Sequence, residues 1–170
     1  PVMDKESLLQ LLMVIQSPKV ARFREWASKT LVRYLEGDIT LAADIAERAS
    51  DVDQVWLENR LKVKRTNKQL NASIKAAGGS GQIYGAVADK NNVAVTGKRA
   101  KQLQVQRGVK QTRDGMELTE LVRMQYLELV ESMSLENQNA NGNNQIVGVV
   151  EDVIIQENQL WNRTTRKQIH

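Results

Sequence analysis

The chain has no cysteine, one histidine and only two prolines among 170 residues. Without cysteine, disulfide bonds and thiol chemistry are excluded, and the composition favours an intracellular setting. The one histidine is the last residue, His170, which excludes Ser-His-Asp catalysis, histidine acid–base chemistry and ordinary zinc sites. Because proline is the strongest breaker of a helix interior, so few prolines leave room for long uninterrupted helices.

The chain also has no hydrophobic run long enough to cross a bilayer. Its longest apolar stretch, Leu8 to Ile15, is interrupted by Gln10 and is too short for a spanning helix. Asp4 and Glu6 precede that stretch, whereas a signal peptide carries basic residues there. The sequence therefore predicts a soluble, cytoplasmic protein without membrane contact.

Aromatic residues are few, and the only phenylalanine lies in a segment with clear helix signals. Ser17 and Pro18 are typical of a helix start, and Gly37 is typical of a left-handed helix end. Because aromatic side chains bury large apolar areas, we predict that Phe23 and Trp26 anchor this helix against the preceding one. The expected contacts on the preceding helix are Leu11, Leu12 and Ile15.

The formal net charge is +4, and the charges are grouped into blocks along the chain. Residues 38–58 are mostly acidic, residues 60–75 and 98–113 are basic and contain no acid, and residues 114–136 are acidic again. Acid-free basic blocks are typical of surfaces that bind a phosphate backbone. The alternative is that each block is a solvated helix face that pairs with neighbouring acids.

Hydrophobic spacing and capping residues predict an all-α multi-helix bundle of about eight or nine helices. The run Gly78–Gly81 is expected to be a flexible linker or a helix stop. It is therefore the expected boundary between two helical lobes, residues 1–78 and 79–170. The helices predicted before it are residues 5–16, 16–38, 41–49, 51–64 and, after a restart at Thr66, 67–77.

A basic helix is predicted in the middle of the chain. A short helix over residues 83–89, a turn at Lys90–Asn92 and an extended piece at Val93–Val95 are expected to precede it. The basic helix itself, Lys98–Arg107, ends at Gly108. A turn followed by a capped basic helix is compatible with helix-turn-helix geometry, in which the second helix contacts DNA. The alternative is an ordinary exposed helix, because most helical proteins contain such a pair.

Two long helices, about Glu117–Asn137 and Gln145–Gln168, are predicted towards the end of the chain. The first is apolar on more than one face, so one layer of neighbouring helices cannot cover it. The sequence therefore predicts a homodimer or higher oligomer built on these two helices. The expected interface residues are Leu118, Leu121, Val122, Leu129, Val130, Leu160 and Trp161.

Two sequence patterns follow one another along the chain. The first consists of Leu11, Leu12, Ser17, Pro18, Ala21, Phe23, Trp26 and Gly37. The second consists of Thr96, Gly97, Lys98, Ala100, Lys101 and Leu103. The first resembles the closing helices of the BRO N-terminal domain of phage antirepressors, and the second resembles a module found downstream of such domains. The resemblance implies a DNA-associated transcriptional regulator whose partners are duplex DNA or a repressor protein.

Binding without catalysis is the predicted activity. The sequence offers no nucleophile with a base, no catalytic pair of carboxylates and no metal site, and no cofactor is expected. In the DNA-binding interpretation, lysine and arginine neutralise phosphates while glutamine reads base edges. The competing interpretation is an interaction module that binds a repressor or another protein. The predicted DNA contacts are Lys98, Arg99, Lys101, Gln102, Gln104, Arg107 and Arg113, with Lys62, Lys64, Arg65 and Lys68 as a second phosphate surface.

Overall fold

The computed structural model describes residues 4–166, and every regular element among them is helical. The predicted all-α fold is thereby confirmed. A 3-10 turn, Thr112–Gly115, precedes the last two α-helices, and the predicted helix end at Gln168 lies outside the described residues. None of the helices in the described part of the chain is long and apolar enough to cross a membrane. The α-helices are α1 Lys5–Val14, α2 Pro18–Leu35, α3 Ile39–Ala46, α4 Asp51–Ala76, α5 Ile83–Thr96, α6 Ala100–Arg107, α7 Leu118–Asn137 and α8 Asn143–Arg166.

The chain divides into two compact units, the first up to Gln54 and the second from Val55. The division falls within α4 and not at the glycine-rich run Gly78–Gly81. That run connects α4 to α5 inside the second unit. The two units therefore do not coincide with the lobes expected on either side of the glycines.

The first unit contains α1, α2 and α3, and none of its described side chains is fully buried. The rings of Phe23 and Trp26 lie on α2 with their centroids 5.7 Å apart. Trp26 is 59% exposed, so its predicted role as a buried anchor is wrong. Leu11 of α1 and Ile15, the residue after α1, are exposed as well. Three short helices offer too little surface to enclose all of these side chains.

The turn between α2 and α3 has the predicted left-handed glycine. Gly37 has a φ of +70°, which a residue with a Cβ atom adopts only at a cost. The Asp38 carboxylate then accepts a 2.6 Å bond from Arg33 and caps α3 by accepting from the backbone amide of Thr40. These bonds, that from Arg33 above all, hold the pKa of Asp38 well below its ordinary value.

The hydrophobic core of the second unit lies between α4, α5, α7 and α8. One buried cluster contains Leu70, Ile74, Val87, Leu135, Ile146 and Val150. The other contains Val63, Val95, Leu103, Met116, Leu121, Met124, Leu127 and Val153. Through Leu103 and Met116 in the second cluster, α6 and the segment after the 3-10 turn are fixed to the helix bundle.

The helix α4 is continuous, so the predicted interruption at Thr66 is wrong. The Thr66 hydroxyl lies 3.1 Å from the carbonyl oxygen of Val63 and donates a 2.6 Å hydrogen bond to Glu128 on α7. It is therefore engaged within α4 and across to α7, and it does not cap a new helix. A tertiary partner overrides the local preference that the sequence indicates.

The helix α5 contradicts two further predictions, the turn at Lys90–Asn92 and the extended piece at Val93–Val95. All of these residues are helical. Asn91 is buried, and its Nδ2 donates a 2.7 Å hydrogen bond to Glu131 Oε2 on α7. A buried partner stabilises asparagine in a helix, which its local preference disfavours.

Hydrogen bonds fix the glycine-rich connection Gly78–Gly81 against the connection between α7 and α8. The carbonyl oxygen of Ala77 accepts a 2.7 Å bond from the backbone amide of Gly142. The backbone of Ser80 donates to and accepts from the side chain of Asn143, at 3.0 and 3.1 Å. Of the two roles expected for the glycines, the structure therefore favours the helix stop over the flexible linker.

Candidate nucleic-acid interface

The basic residues of the second unit divide into arginines that hold the fold together and cations that remain exposed. Arg60 donates to Asp114 and Gln111 through two of its nitrogens. Arg123 binds both carboxylate oxygens of Glu157, at 2.6 and 2.7 Å. Such charge-assisted bonds fix helices and loops in place, and the charge of each of these arginines is already paired.

Two predicted DNA contacts, Arg107 and Arg113, belong to the structural group. Arg107 binds both carboxylate oxygens of Glu120 on α7. Burial is the largest single influence on Glu120 and opposes its ionisation, but the Arg107 guanidinium, the Glu117 amide and Lys98 together outweigh burial, so the pKa of Glu120 is lowered. Arg113 pairs with the buried carboxylate of Glu128. Neither arginine presents an unpaired charge to a phosphate.

Three more predicted contacts make local hydrogen bonds. The Gln102 side chain accepts a 3.1 Å bond from the backbone amide of Arg99 at the start of α6. Gln104 donates to the carbonyl oxygen of Lys110 at 3.0 Å and so holds the loop after α6. Lys98 donates to the side chain of Gln106 on α6. The two glutamines that were expected to read base edges therefore stabilise α6 and its loop.

The exposed face of α4 carries cations that have no bonded acid among residues 4–166. Lys64, Lys68 and Lys75 are separated by four and seven residues, which places them on one side of the helix. Because a helix rises about 1.5 Å per residue, the row of three lysines is about 16 Å long. Arg65 projects from the adjoining side, whereas Lys62 is paired with an acid one turn earlier.

A second set of exposed cations lies around α6. Arg99 and Lys101 lie at its start, and Lys110 lies in the loop that follows it. The bond between Arg60 and Gln111 places this loop beside the first half of α4. We define the basic surface as Lys64, Arg65, Lys68, Lys75, Arg99, Lys101 and Lys110.

Two members of the basic surface, Lys75 and Lys110, were not among the predicted DNA contacts. Both lie within the acid-free blocks, so a signal for them was present in the sequence. Lys75 and Lys110 have no bonded acid in the described part of the chain, whereas Arg107 and Arg113 are each paired with a glutamate. That difference depends on which helices pack together.

The predicted oligomer residues divide between the core and the surface, where Val122, Leu160 and Trp161 line one shallow cavity between α7 and α8. Leu121 is fully buried within the chain's own core, and Val130 is half-buried against it. On α8, Leu160 is exposed, while the Arg123 guanidinium lies over the Trp161 ring at 5.0 Å from the centroid. An exposed apolar stripe nevertheless runs along α7 at intervals of three or four residues. It consists of Leu118, Val122, Tyr126, Leu129 and Met133.

A polar cleft of about 620 Å³ lies between α5, the start of α6 and the 3-10 turn. Asp89, Asn92 and Arg113 supply polar groups to its lining. Ala100 also lines the cleft and is flanked in sequence by two cations of the basic surface. Sequence reasoning missed this cleft because residues 90–92 were expected to form a turn.

No protein-family model matches the chain, so the resemblance to BRO-type antirepressors gains no support. The chain is similar to DNA damage response protein C of Deinococcus radiodurans. The two sequences are 34% identical over 159 residues, which are 93% of this chain and 69% of the relative.

Proposed function

The chain belongs to the family of DNA damage response protein C, and we propose that it binds the phosphate backbone of duplex DNA. The contacts are made by the basic surface of the second unit. The exposed face of α4 carries this proposal, because it holds three aligned lysines and no acid from residue 59 to the end of the helix.

Exposed lysines bind nucleic acid by neutralising phosphates and releasing their counterions. Each strand of duplex DNA carries a phosphate about every 3.4 Å along its axis, so a row of lysines about 16 Å long reaches several phosphates. The cations of α6 and its loop add further contacts beside this row. Phosphate contacts of this kind position a protein on DNA without reading its sequence.

Binding is expected to depend little on base sequence. Gln102 and Gln104 were the residues expected to read base edges, and both side chains are engaged in stabilising α6. Reading a base would require them to break these bonds. The proposed activity is therefore sequence-tolerant binding without catalysis.

The direct test is to reverse the charges of Lys64, Lys68 and Lys75 to glutamate and to measure duplex binding by fluorescence anisotropy. The wild-type affinity should fall steeply between about 50 and 200 mM salt. The triple variant should bind far more weakly. Because three phosphate contacts are lost, its slope of log affinity against log salt should be shallower by about 3.

The matched control reverses Lys19, Arg22 and Arg48, three exposed cations of the first unit, and so changes the net charge by the same amount. This control should retain most of the affinity. An equal loss in both variants would mean that binding follows net charge and not the basic surface. Absence of wild-type binding at low salt would refute the proposal altogether.

Transcriptional regulation of the antirepressor type stays a prediction from the sequence resemblance alone. The name of the relative refers to a response to DNA damage and not to a repressor. The proposal made here is therefore confined to DNA binding.

Self-association is a second candidate function, and the apolar stripe of α7 favours it. The five side chains of the stripe are between 37% and 51% exposed, although they lie on a helix whose other face is part of the core. Burying such a stripe against a second copy of the same chain would remove a continuous apolar surface from water. DNA binding does not require this contact.

A further inference from the structure

One wall of the polar cleft contains very little side-chain bulk. Gly85 and Ala88 of α5 and Ala100 of α6 contribute only backbone and methyl groups to it. Such a surface is flat and open, and a planar ring can lie against it. Asp89 and Asn92 lie on the same side of α5 as Gly85, at intervals of four and three residues, so polar groups border the flat surface.

Nothing in the fold requires a glycine at position 85. It lies inside α5, where glycine costs about 1 kcal/mol relative to alanine. Its φ is not positive, and a Cβ atom built on it would meet no atom within 4 Å. The one consequence of this glycine that the structure shows is space in the cleft.

The cleft also holds a polar side chain without a partner. Asn92 is only 7% exposed, and its side-chain amide makes no hydrogen bond to any described residue. Its amide atoms reach the solvent in the cleft, so water can bond to them when no ligand is present. Arg113 also lines the cleft, but its Nε atom is closed off from solvent and its guanidinium is paired with Glu128, so it is not available to a ligand there. The Asn92 amide thus faces the open cleft with its donor and its acceptor free for a ligand.

We propose that the polar cleft binds one unpaired nucleobase of a bound DNA strand. The proposal rests on the proposed DNA binding, because the adjoining cations Arg99 and Lys101 would hold the phosphates on either side of that base. A base is planar, carries donors and acceptors on its edge and fits within about 620 Å³.

Recognition uses the groups that the cleft presents. The Asn92 amide offers a donor and an acceptor to the edge of the base, the pairing that asparagine makes with adenine in other complexes. The Asp89 carboxylate accepts from an exocyclic amino group. Its bond to the backbone amide of Ala100 is long, at 3.4 Å, so this oxygen can take a better donor. A free nucleotide presents the same edge and is the other source of this chemistry.

The test compares two duplexes that differ only in one extra, unpaired 2-aminopurine in one strand. Affinity is measured by anisotropy of a distant dye, and base uptake is measured by 2-aminopurine fluorescence. The wild-type protein should bind the bulged duplex about tenfold more tightly than the paired one, which corresponds to about 1.4 kcal/mol. The 2-aminopurine signal should change on binding.

Filling the cleft should remove this preference and leave binding of the paired duplex unchanged. Gly85→Leu fills it from a helix position with open space and replaces a weak helix former by a strong one, so the fold should be retained. Asn92→Ala should also reduce the preference, since it removes the amide without breaking a bond within the protein.

Gly148→Leu is the matched control. Gly148 lies inside α8, a Cβ atom there also meets nothing within 4 Å, and the residue does not line the cleft. This variant should keep the full preference for the bulged duplex.

The outcomes separate this inference from the proposed function. Suppose that the wild-type protein binds the bulged and the paired duplex with equal affinity and releases both at high salt. That result would overturn the assignment of the cleft and leave the proposed phosphate binding intact. If the Gly85→Leu variant kept the preference for the bulged duplex, the assignment of the cleft would be overturned as well. If deoxyadenosine monophosphate bound in the cleft while neither duplex bound, the base would come from a free nucleotide, and both proposals would fail.

Discussion

The most unusual single contact in the second unit is a buried glutamate paired with an asparagine. Glu131 on α7 is 0% exposed, and burial, with Glu128 one turn earlier as a smaller cause, raises its pKa to about 8. One carboxylate oxygen accepts from Asn91, while the other oxygen and Asn91 Oδ1 have no donor. A proton on Glu131 supplies the donor that these two acceptors lack.

This buried acid should make the protein less stable as the pH rises. The unfolded chain releases the Glu131 proton near pH 4.5, whereas the folded chain keeps it up to about pH 8. Between these values the folded state binds more protons, so the free energy of unfolding falls with pH, by at most about 1.4 kcal/mol per unit. Glu131→Gln removes this dependence because its amide mimics the protonated acid. The variant should therefore gain stability over wild type from about pH 5 to about pH 8 in urea titrations.

The control for Glu131→Gln is Asp152→Asn, which removes an exposed acid of α8 that has no partner within the described chain. Its difference in stability from wild type should stay small at each pH. A constant difference between Glu131→Gln and wild type across this pH range would show that Glu131 is ionised in the folded protein.

The helix α7 has two apolar faces with different surroundings. One face supplies Leu121, Met124 and Leu127 to the core of the chain. The other is the apolar stripe, about 160° away around the helix at about 100° per residue. An amphipathic helix needs only one apolar face to fold, whereas the second face of α7 stays partly exposed, with Val122 and Tyr126 beside Leu160 and Trp161 of α8.

Replacing Val122 and Leu129 by aspartate tests self-association through the stripe. If two copies pair through α7, the variant should be a monomer in light scattering at tens of micromolar, where the wild type has at least twice that mass. Both side chains are partly exposed, so the change should disturb the fold little.

The matched control places aspartate at Val105 and Leu61, which are exposed apolar residues outside the stripe. It should keep the wild-type mass. A wild-type protein that is already monomeric at this concentration would end the self-association proposal.

The two compact units differ in the number of side chains that they bury. In the first unit no described side chain is fully buried, whereas the second contains two buried clusters. Since local opening free energies follow the number of buried apolar contacts, the helices of the first unit should open more readily.

Hydrogen exchange measured by mass spectrometry should show this difference directly. Amides of α2 are expected to exchange at least tenfold faster than those in the middle of α7, where Leu121, Met124 and Leu127 are fully buried. A short peptide from the exposed loop at Lys110 serves as the reference for unprotected exchange. Equal protection of α2 and α7 would mean that the first unit is covered by something outside the described contacts.

Local sequence signals determined the fold class and several helix ends. Pro18 begins α2, and Gly37 and Gly108 follow helices with positive φ as expected. These features follow from the backbone preferences of single residues, which act without any distant partner. The acid-free blocks were equally visible in the sequence.

Only the tertiary structure decided which polar side chains are paired within the protein and which remain free to bind a partner. Arg123 pairs with Glu157, 34 residues away, and Arg60 pairs with Asp114, 54 residues away, so no local pattern separates these arginines from exposed lysines such as Lys68. Thr66 and Asn91 likewise stay helical because their partners lie on α7. The helix preference of a single residue is worth about 1 kcal/mol or less. A hydrogen bond to a buried partner outweighs this preference, because leaving the buried partner unbonded costs more.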